Sequence, residues 1–375
     1  MKFEVERDVL FNALQNIINA VSPKSTLPIL ANVLLDINKN ELRLVASDLR
    51  ISMATQLEIK GNENLQATVN ARKFFEMIRE FPPLPLTIEI KDSIFNISFQ
   101  KGEGLYQLAG MPADDFPKLP EKEEDNHFSI KWGPFVQMIR RTVFAVSSDE
   151  TRISLNGVYL KIDKGEIRMV ATDGHKLGKV LYRESFNLKE PAETIIPPQA
   201  LTLIEKNTTD PDEWVQVYLN KKMIIFEVNG TTIYSRPLEG PYPNYEKVIP
   251  NNNKKRALLE REPFIETLKR VSILSNSRTH QVKLTLRKNK LEFSANNKEM
   301  GGRAKEELAA EYNEDDLEIG FNAQYLIDIL KLMESDKVLM SLNTSIAPTL
   351  FFPVKKDEKE DYMFLIMPLR LLEES

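Results

Sequence analysis

Apolar residues recur at helical spacing near the start of the chain, where Leu10, Leu14, Ile17 and Val21 form one stripe. The pattern returns at Phe135, Ile139, Val143 and Val146, 125 residues on, and a third stripe starts at Phe264, Leu268 and Val271. Each stripe predicts an amphipathic helix, and Pro134 and Pro263 fit first-turn positions, where a missing N–H costs nothing. After each predicted helix comes a strand, a Lys/Asn/Gly turn and a second strand: VLLDINKNELRLVASDL at 33–49, VYLKIDKGEIRMVATDG at 158–174 and VKLTLRKNKLEFSANN at 282–297. The anchors Ala46, Ala171 and Ala295 are 125 and 124 residues apart. A second helix is predicted over 71–80, 198–206 and 323–333, and the closing strands end in Met111-Pro112, Arg236-Pro237 and Met367-Pro368.

Several element types recurring in one phase mark an internal repeat rather than reuse of common pieces. The prediction is therefore an α+β protein of three homologous domains, at 1–121, 122–251 and 252–375, each with helices over one face of an antiparallel sheet. Charged or Pro/Asn-rich stretches at 118–125 and 250–256 read as linkers, and the run Lys355–Asp361 reads as a surface insertion in the third copy.

Composition narrows the chemistry. With no cysteine, disulfides, thiolate metal sites and a cysteine nucleophile are excluded, and His127, His175 and His280 show no paired ligand spacing, so no metal site is expected. A net charge of −5 and an N-terminus without an apolar leader pattern point to the cytoplasm and away from a uniformly basic nucleic-acid binder. The helix faces opposite the stripes tell more: Asn12, Gln15, Asn16 and Asn19 on the first, Arg140, Arg141, Lys269 and Arg270 on the later two. A Lys/Arg face is ordinarily just solvated surface, but its repetition in equivalent elements permits sequence-independent contact with phosphates.

No glycine-rich phosphate loop and no nucleophile elbow occurs. The string Ala171-Thr-Asp-Gly-His-Lys-Leu177 sets an acid beside a histidine, yet Asp48 and Asn297 hold the equivalent place in the other copies without one. It reads as a turn with a binding role. The apolar end, Phe364–Leu372, is the second anomaly, since chain ends fray unless they pair or pack.

Together, Thr26–Leu35, Ala71–Phe75, Ala171–Leu177, Tyr242-Pro-Asn-Tyr245 and Met367–Leu371 resemble the bacterial sliding clamp family, the beta subunits of replicative DNA polymerases, over essentially the whole chain. The resemblance implies a head-to-tail homodimeric ring, helices lining the hole and sheets outside, that encircles double-stranded DNA and performs no chemistry. It implies no cofactor, and as partners the polymerase catalytic subunit, clamp loader and repair polymerases. Family positions that receive their short linear motifs correspond to Leu155, Thr172, Gly174, His175, Lys176, Leu177, Pro243, Lys247, Val248, Ile366, Met367, Pro368, Leu369 and Arg370. Lys176 stands where an arginine is common. The resemblance also implies DNA contacts at Lys24, Arg72 and Arg152, while Asp149, Ile153 and Ser154 depart from the polar and aromatic residues found there. Dimer contacts fall at Tyr106 and Leu108 of one copy and Ile273 and Leu274 of the other. From the residues alone, a peptide-binding scaffold that never encircles DNA and an enzyme without a visible site remain open.

Overall fold

The computed structural model describes residues 1–21, 27–99, 103–122, 126–297, 301–354 and 358–371. The element order repeats three times. The first copy runs β1 (Lys2–Glu6), α1 (Arg7–Ile17), β2 (Asn32–Asn38), β3 (Glu41–Ser47), β4 (Ile51–Glu58), β5 (Asn64–Asn70), α2 (Ala71–Glu80), β6 (Pro85–Lys91), β7 (Ile94–Phe99) and β8 (Glu103–Met111). The second runs β9 (His127–Lys131), α3 (Trp132–Val143), β10 (Val158–Ile162), β11 (Glu166–Thr172), β12 (Lys176–Arg183), β13 (Ala192–Ile196), α4 (Pro198–Glu205), β14 (Trp214–Leu219), β15 (Ile224–Val228) and β16 (Thr231–Ser235). The third runs β17 (Lys255–Glu260), α5 (Arg261–Ser272), β18 (Gln281–Arg287), β19 (Lys290–Asn297), β20 (Gly302–Ala309), β21 (Leu317–Asn322), α6 (Ala323–Lys331), β22 (Lys337–Leu342), β23 (Thr349–Pro353) and β24 (Glu360–Ile366).

The chain forms two compact units, and their division passes through the middle copy. The first unit, residues 1–134, 187–189 and 199–237, holds a sheet in the order β1-β6-β7-β8-β5-β2-β3-β4-β16-β15-β14-β9. The second, residues 135–186, 190–198 and 238–375, holds β13-β10-β11-β12-β24-β23-β22-β17 and a separate β20-β19-β18-β21. All named strand pairings are antiparallel. Two of these pairings join neighbouring copies: β4 with β16, and β12 with β24.

Local chemistry explains the elements. The helices that follow a strand directly start without a side-chain cap in α1 and α5, whereas α2 and α6 are capped by Asn70 and Asn322, whose side-chain oxygens accept the Lys73 N–H at 3.0 Å and the Gln324 N–H at 2.9 Å. Asn229 and Gly230, at φ 48° and 69°, turn β15 back into β16, a double left-handed geometry that suits Asn-Gly. Core stripes lie largely where the apolar spacing puts them: Leu10, Leu14 and Ile17 in α1, Phe264, Leu268 and Val271 in α5, all buried. Each such side chain contributes about 1.5–3 kcal/mol by leaving water.

Four expectations change. In α3 the buried stripe is Phe135, Met138, Ile139 and Thr142, while Val143 and Val146 are only half-buried, because four residues 3.6 to a turn already span the core face. Arg141, assigned to a solvent face, is completely buried, since the third copy covers that side of the helix. The insertion is also shorter than its charge run suggests: residues 355–357 lie outside the described residues, but Glu360 and Asp361 already belong to β24, and Lys255 and Arg256 belong to β17 rather than to a linker. Among the described residues, no helix is long and apolar enough to cross a membrane.

Candidate functional site

The two anomalies of the sequence meet at the β12–β24 seam. Lys176 pairs with Ile366 and Leu177 with Leu365, and the Met367 N–H donates to the His175 carbonyl at 2.7 Å, which carries the pairing one step beyond β24. The turn feeding β12 is braced by its own side chains. Asp173 Oδ1 accepts the N–H groups of His175 and Lys176 at 2.8 and 2.9 Å, Thr172 Oγ1 donates to the Lys176 carbonyl at 2.8 Å, and Gly174 takes φ +92°. That left-handed value is the reason for a glycine there.

Under this turn Val170, Leu177, Tyr245, Leu350, Met363 and Leu365 form a buried apolar cluster. Tyr159, Tyr242, Ile249, Phe352 and Met367 pack on it while remaining partly exposed. Tyr242 stacks on Tyr159 with ring centres 5.0 Å apart. Pro243, Lys247 and Val248 are exposed, on and beside the short turn Tyr245–Val248. Beyond β24 the chain crosses to the four-stranded sheet, where the Leu369 N–H donates to the Gly320 carbonyl at 2.8 Å and Gln281 Nε2 donates to the Arg370 carbonyl at 3.2 Å. A Cβ on Gly320 would lie 2.8 Å from the Leu369 carbonyl oxygen, so glycine permits this docking. The result is a partly exposed apolar surface, with half-buried Met367, Pro368 and Leu369 along the chain that leaves β24.

Charge around this surface is largely committed within the chain. The Lys176 ammonium lies 3.5 Å from Asp173 and 4.6 Å from the centre of the Tyr325 ring, so it is turned inward. Burial pushes the Tyr242 hydroxyl well above the ordinary tyrosine range; at Tyr159 burial does the same, helped by its hydrogen bond to Glu193. Both stay neutral at physiological pH. Leu155 is buried on the turn Ile153–Asn156, its carbonyl accepting the Ser147 N–H at 2.9 Å.

On the opposite side of the seam, Arg141 of α3 reaches two segments of the third copy, the stretch after α6 and β24. Its Nε donates to the Leu332 carbonyl at 3.3 Å, its terminal nitrogens lie 3.1 Å from Glu334 and 2.5 Å from Glu360, and its guanidinium stacks 3.9 Å over the Tyr362 ring. The carboxylate contacts are close but poorly angled for hydrogen bonds, so charge attraction and stacking hold the group.

The remaining sequence-derived positions lie on other elements. Arg152 pairs with Asp149 at 3.0 Å, and one of its nitrogens lies 3.4 Å from where a Cβ on Gly174 would sit, so it borders the bracing turn. The Thr151 hydroxyl above all, with the Thr151 N–H and Arg152, holds the Asp149 carboxyl below its ordinary range. Arg72 is exposed in the first turn of α2, and Lys24 lies outside the described residues. Tyr106 is on β8 with its ring 4.7 Å from that of Phe81, and Leu108 pairs with Phe95. Ile273 is exposed just after α5, and Leu274 would meet a Cβ on Gly302 at 2.9 Å. Sequence reasoning missed Tyr159, Val170 and Phe352 in this cluster and Tyr325 beside Lys176; only the aromatic pair in Tyr242-Pro-Asn-Tyr245 gave a signal.

Comparison with known proteins gives one consistent result. Models of the DNA polymerase III beta subunit match throughout: its N-terminal domain at residues 1–120, its central domain at 129–244 and its C-terminal domain at 246–370. A Pseudomonas aeruginosa protein named beta sliding clamp is 31% identical over 372 residues, covering 99% of this chain and 100% of that protein. A crystal structure of the DNA polymerase sliding clamp from Pseudomonas aeruginosa with ligand superposes with a TM-score of 0.93 at 30% identity, covering 99% of this chain and 100% of that one. The sliding clamp from Bacillus subtilis superposes with a TM-score of 0.92 at 28% identity, again over 99% and 100%.

Proposed function

The chain belongs to the DNA polymerase III beta subunit family, the bacterial sliding clamps, and from that premise we propose that two copies close head to tail around duplex DNA in the cytoplasm. It is a non-catalytic processivity factor. The three domains span 1–121, 122–251 and 252–375, and no cofactor is needed.

The observation that supports closure is the set of strand edges. At each observed seam the fourth strand of one copy of the repeat pairs with the last strand of the next, β4 with β16 and β12 with β24. The third repeat's fourth strand, β20, is a sheet edge, and β8, the first repeat's last strand, pairs on one side with β7 and on the other only through its final two residues. These two edges complete each other in a second copy.

The register follows. Ser52 pairs with Tyr234 and Leu177 with Leu365, each partner three residues before the closing proline. Ser52 and Leu177 correspond to Arg303, which pairs across β19–β20 with the residue after Ala295. Three residues before Pro112 is Ala109, so Arg303 faces Ala109 of the second copy, Ala304 faces Leu108 and Glu306 faces Tyr106. All four of the latter side chains are then on the helix-covered face, beside Ile273 and Leu274; a slip of one residue would turn them out.

In such a ring, Lys24, Arg72 and Arg152 supply contacts to the phosphates, few enough for the duplex to slide. The groove at Leu177, Met367 and Leu369, with Leu155, Thr172, Gly174, His175, Lys176, Pro243, Lys247, Val248, Ile366, Pro368 and Arg370 around it, takes short apolar motifs from polymerases, the clamp loader and repair enzymes. Holding a polymerase there raises its local concentration at the template. The test is topological. Loaded by a clamp loader and ATP onto nicked circular DNA, the protein should stay bound at high salt and leave when the circle is cut; equal retention on linear and circular DNA would refute encirclement.

A further inference from the structure

The seams share a contact that the strand pairing alone does not require. The tenth residue of the first helix of each repeat is Asn16 in α1, Arg141 in α3 and Arg270 in α5. The residue six before the closing proline is Tyr106 in β8, Thr231 in β16 and Tyr362 in β24. At the first seam Asn16 donates to the Thr231 hydroxyl at 3.4 Å, and at the second the Arg141 guanidinium lies 3.9 Å over the Tyr362 ring. In both, position ten of one repeat meets position minus six of the next. The chemistry matches in each case, amide with hydroxyl and guanidinium with phenol ring.

Arg270 and Tyr106 are the one such pair without its counterpart in the chain. Their side chains stand at the two open edges, Arg270 with 55% of its side chain exposed and Tyr106 with 40% of the residue exposed. Resting on the dimer of the preceding section, we propose that Arg270 of one copy stacks on Tyr106 of the second copy and that this pair is a specific latch of the ring joint. The guanidinium is already oriented for it. Glu306 accepts hydrogen bonds from Arg270 Nε at 3.1 Å and from Nη2 at 2.8 Å, and the Thr267 hydroxyl accepts another from Nη2 at 3.2 Å. Glu306 is also the residue that the register places opposite Tyr106, which brings the held guanidinium to the ring. It takes the role that Glu334 and Glu360 take for Arg141, but from the third repeat's own β20. Tyr106 would pass from exposed to the burial that Tyr362 shows at its seam, 7%.

A double-mutant cycle on the dimer dissociation constant of the full chain tests this, with the melting temperature of each variant as a control for folding. Arg270→Met and Tyr106→Leu should each weaken the dimer about 3- to 30-fold, as expected for a desolvated cation–π pair. The double variant should be no weaker than the worse single one, and Arg270→Lys should fall between wild type and Arg270→Met. Effects that multiply, or an Arg270→Met dimer as tight as wild type, would overturn the latch while leaving the ring intact. A wild-type chain that stays monomeric at every concentration would overturn the ring and the latch together.

Discussion

Where the first repeat meets the second, charged and tyrosine side chains border the joint; where the second meets the third, the border is largely apolar. The backbone is alike in both, an antiparallel pairing of a fourth strand with a closing strand. At the first seam Ile29, Leu30, Val45, Ala54, Phe116, Ile225 and Tyr234 form a buried cluster on which Leu34, Leu119, Tyr218 and Met223 pack while partly exposed, with Arg43 donating to the Tyr234 hydroxyl at 3.1 Å and Tyr218 donating to Glu227 at 3.0 Å along its border. At the second seam the cluster around Leu177 keeps Tyr242 and Met367 partly exposed. Two substitutions between repeats mark the difference in border. Ser52 occupies the place of Leu177, and Arg236, exposed beside Pro237, occupies the place of Met367. A shared scaffold thus carries a more polar or a more apolar border according to a few side chains, and apolar anchors beside a partly open surface are what short peptide motifs exploit.

The buried faces differ as strongly, and the largest expected effect is there. Arg141→Ala should cost about 3 kcal/mol of unfolding free energy, because it removes a buried guanidinium that pairs with Glu334 and Glu360 and packs on Tyr362, and Arg141→Met should cost clearly less by keeping part of that packing. Chemical denaturation followed by tyrosine fluorescence measures both; equal losses would show that charge, not packing, holds that seam. Next in size is the groove: Leu369→Ala should weaken a polymerase tail peptide by about 2 kcal/mol, read by calorimetry, and no change would move the anchor elsewhere. Asn16→Ala should cost less than about 1 kcal/mol, since its bond to Thr231 is long and exchangeable with water. A loss as large as that of Arg141→Ala would erase the distinction between the seams.

The repeat, the helices and the closing dipeptides were legible because each is local: periodicity, a first-turn proline, a turn residue. The convergence of His175–Leu177 with the apolar C-terminus was legible too, as two departures from that repeat. Arg141 was not. Its helix side is polar by spacing, and only the neighbouring repeat's Glu334, Glu360 and Tyr362 make it interior. Glu360 misled for the same reason, as a charge in a charged run that becomes the first residue of a strand. Lys176 reads as a cation offered to a ligand, yet Asp173 and Tyr325 turn it inward, a contact between distant segments that no spacing announces.

The claim that side chains alone distinguish the two seams is tested most directly by giving the second seam the first seam's residue. Met367→Arg copies Arg236 at a half-buried position, so folding and dimerisation should be unchanged. Measured by calorimetry, its affinity for a polymerase tail peptide should fall by at least about 30-fold. Wild-type affinity in that variant would contradict the account.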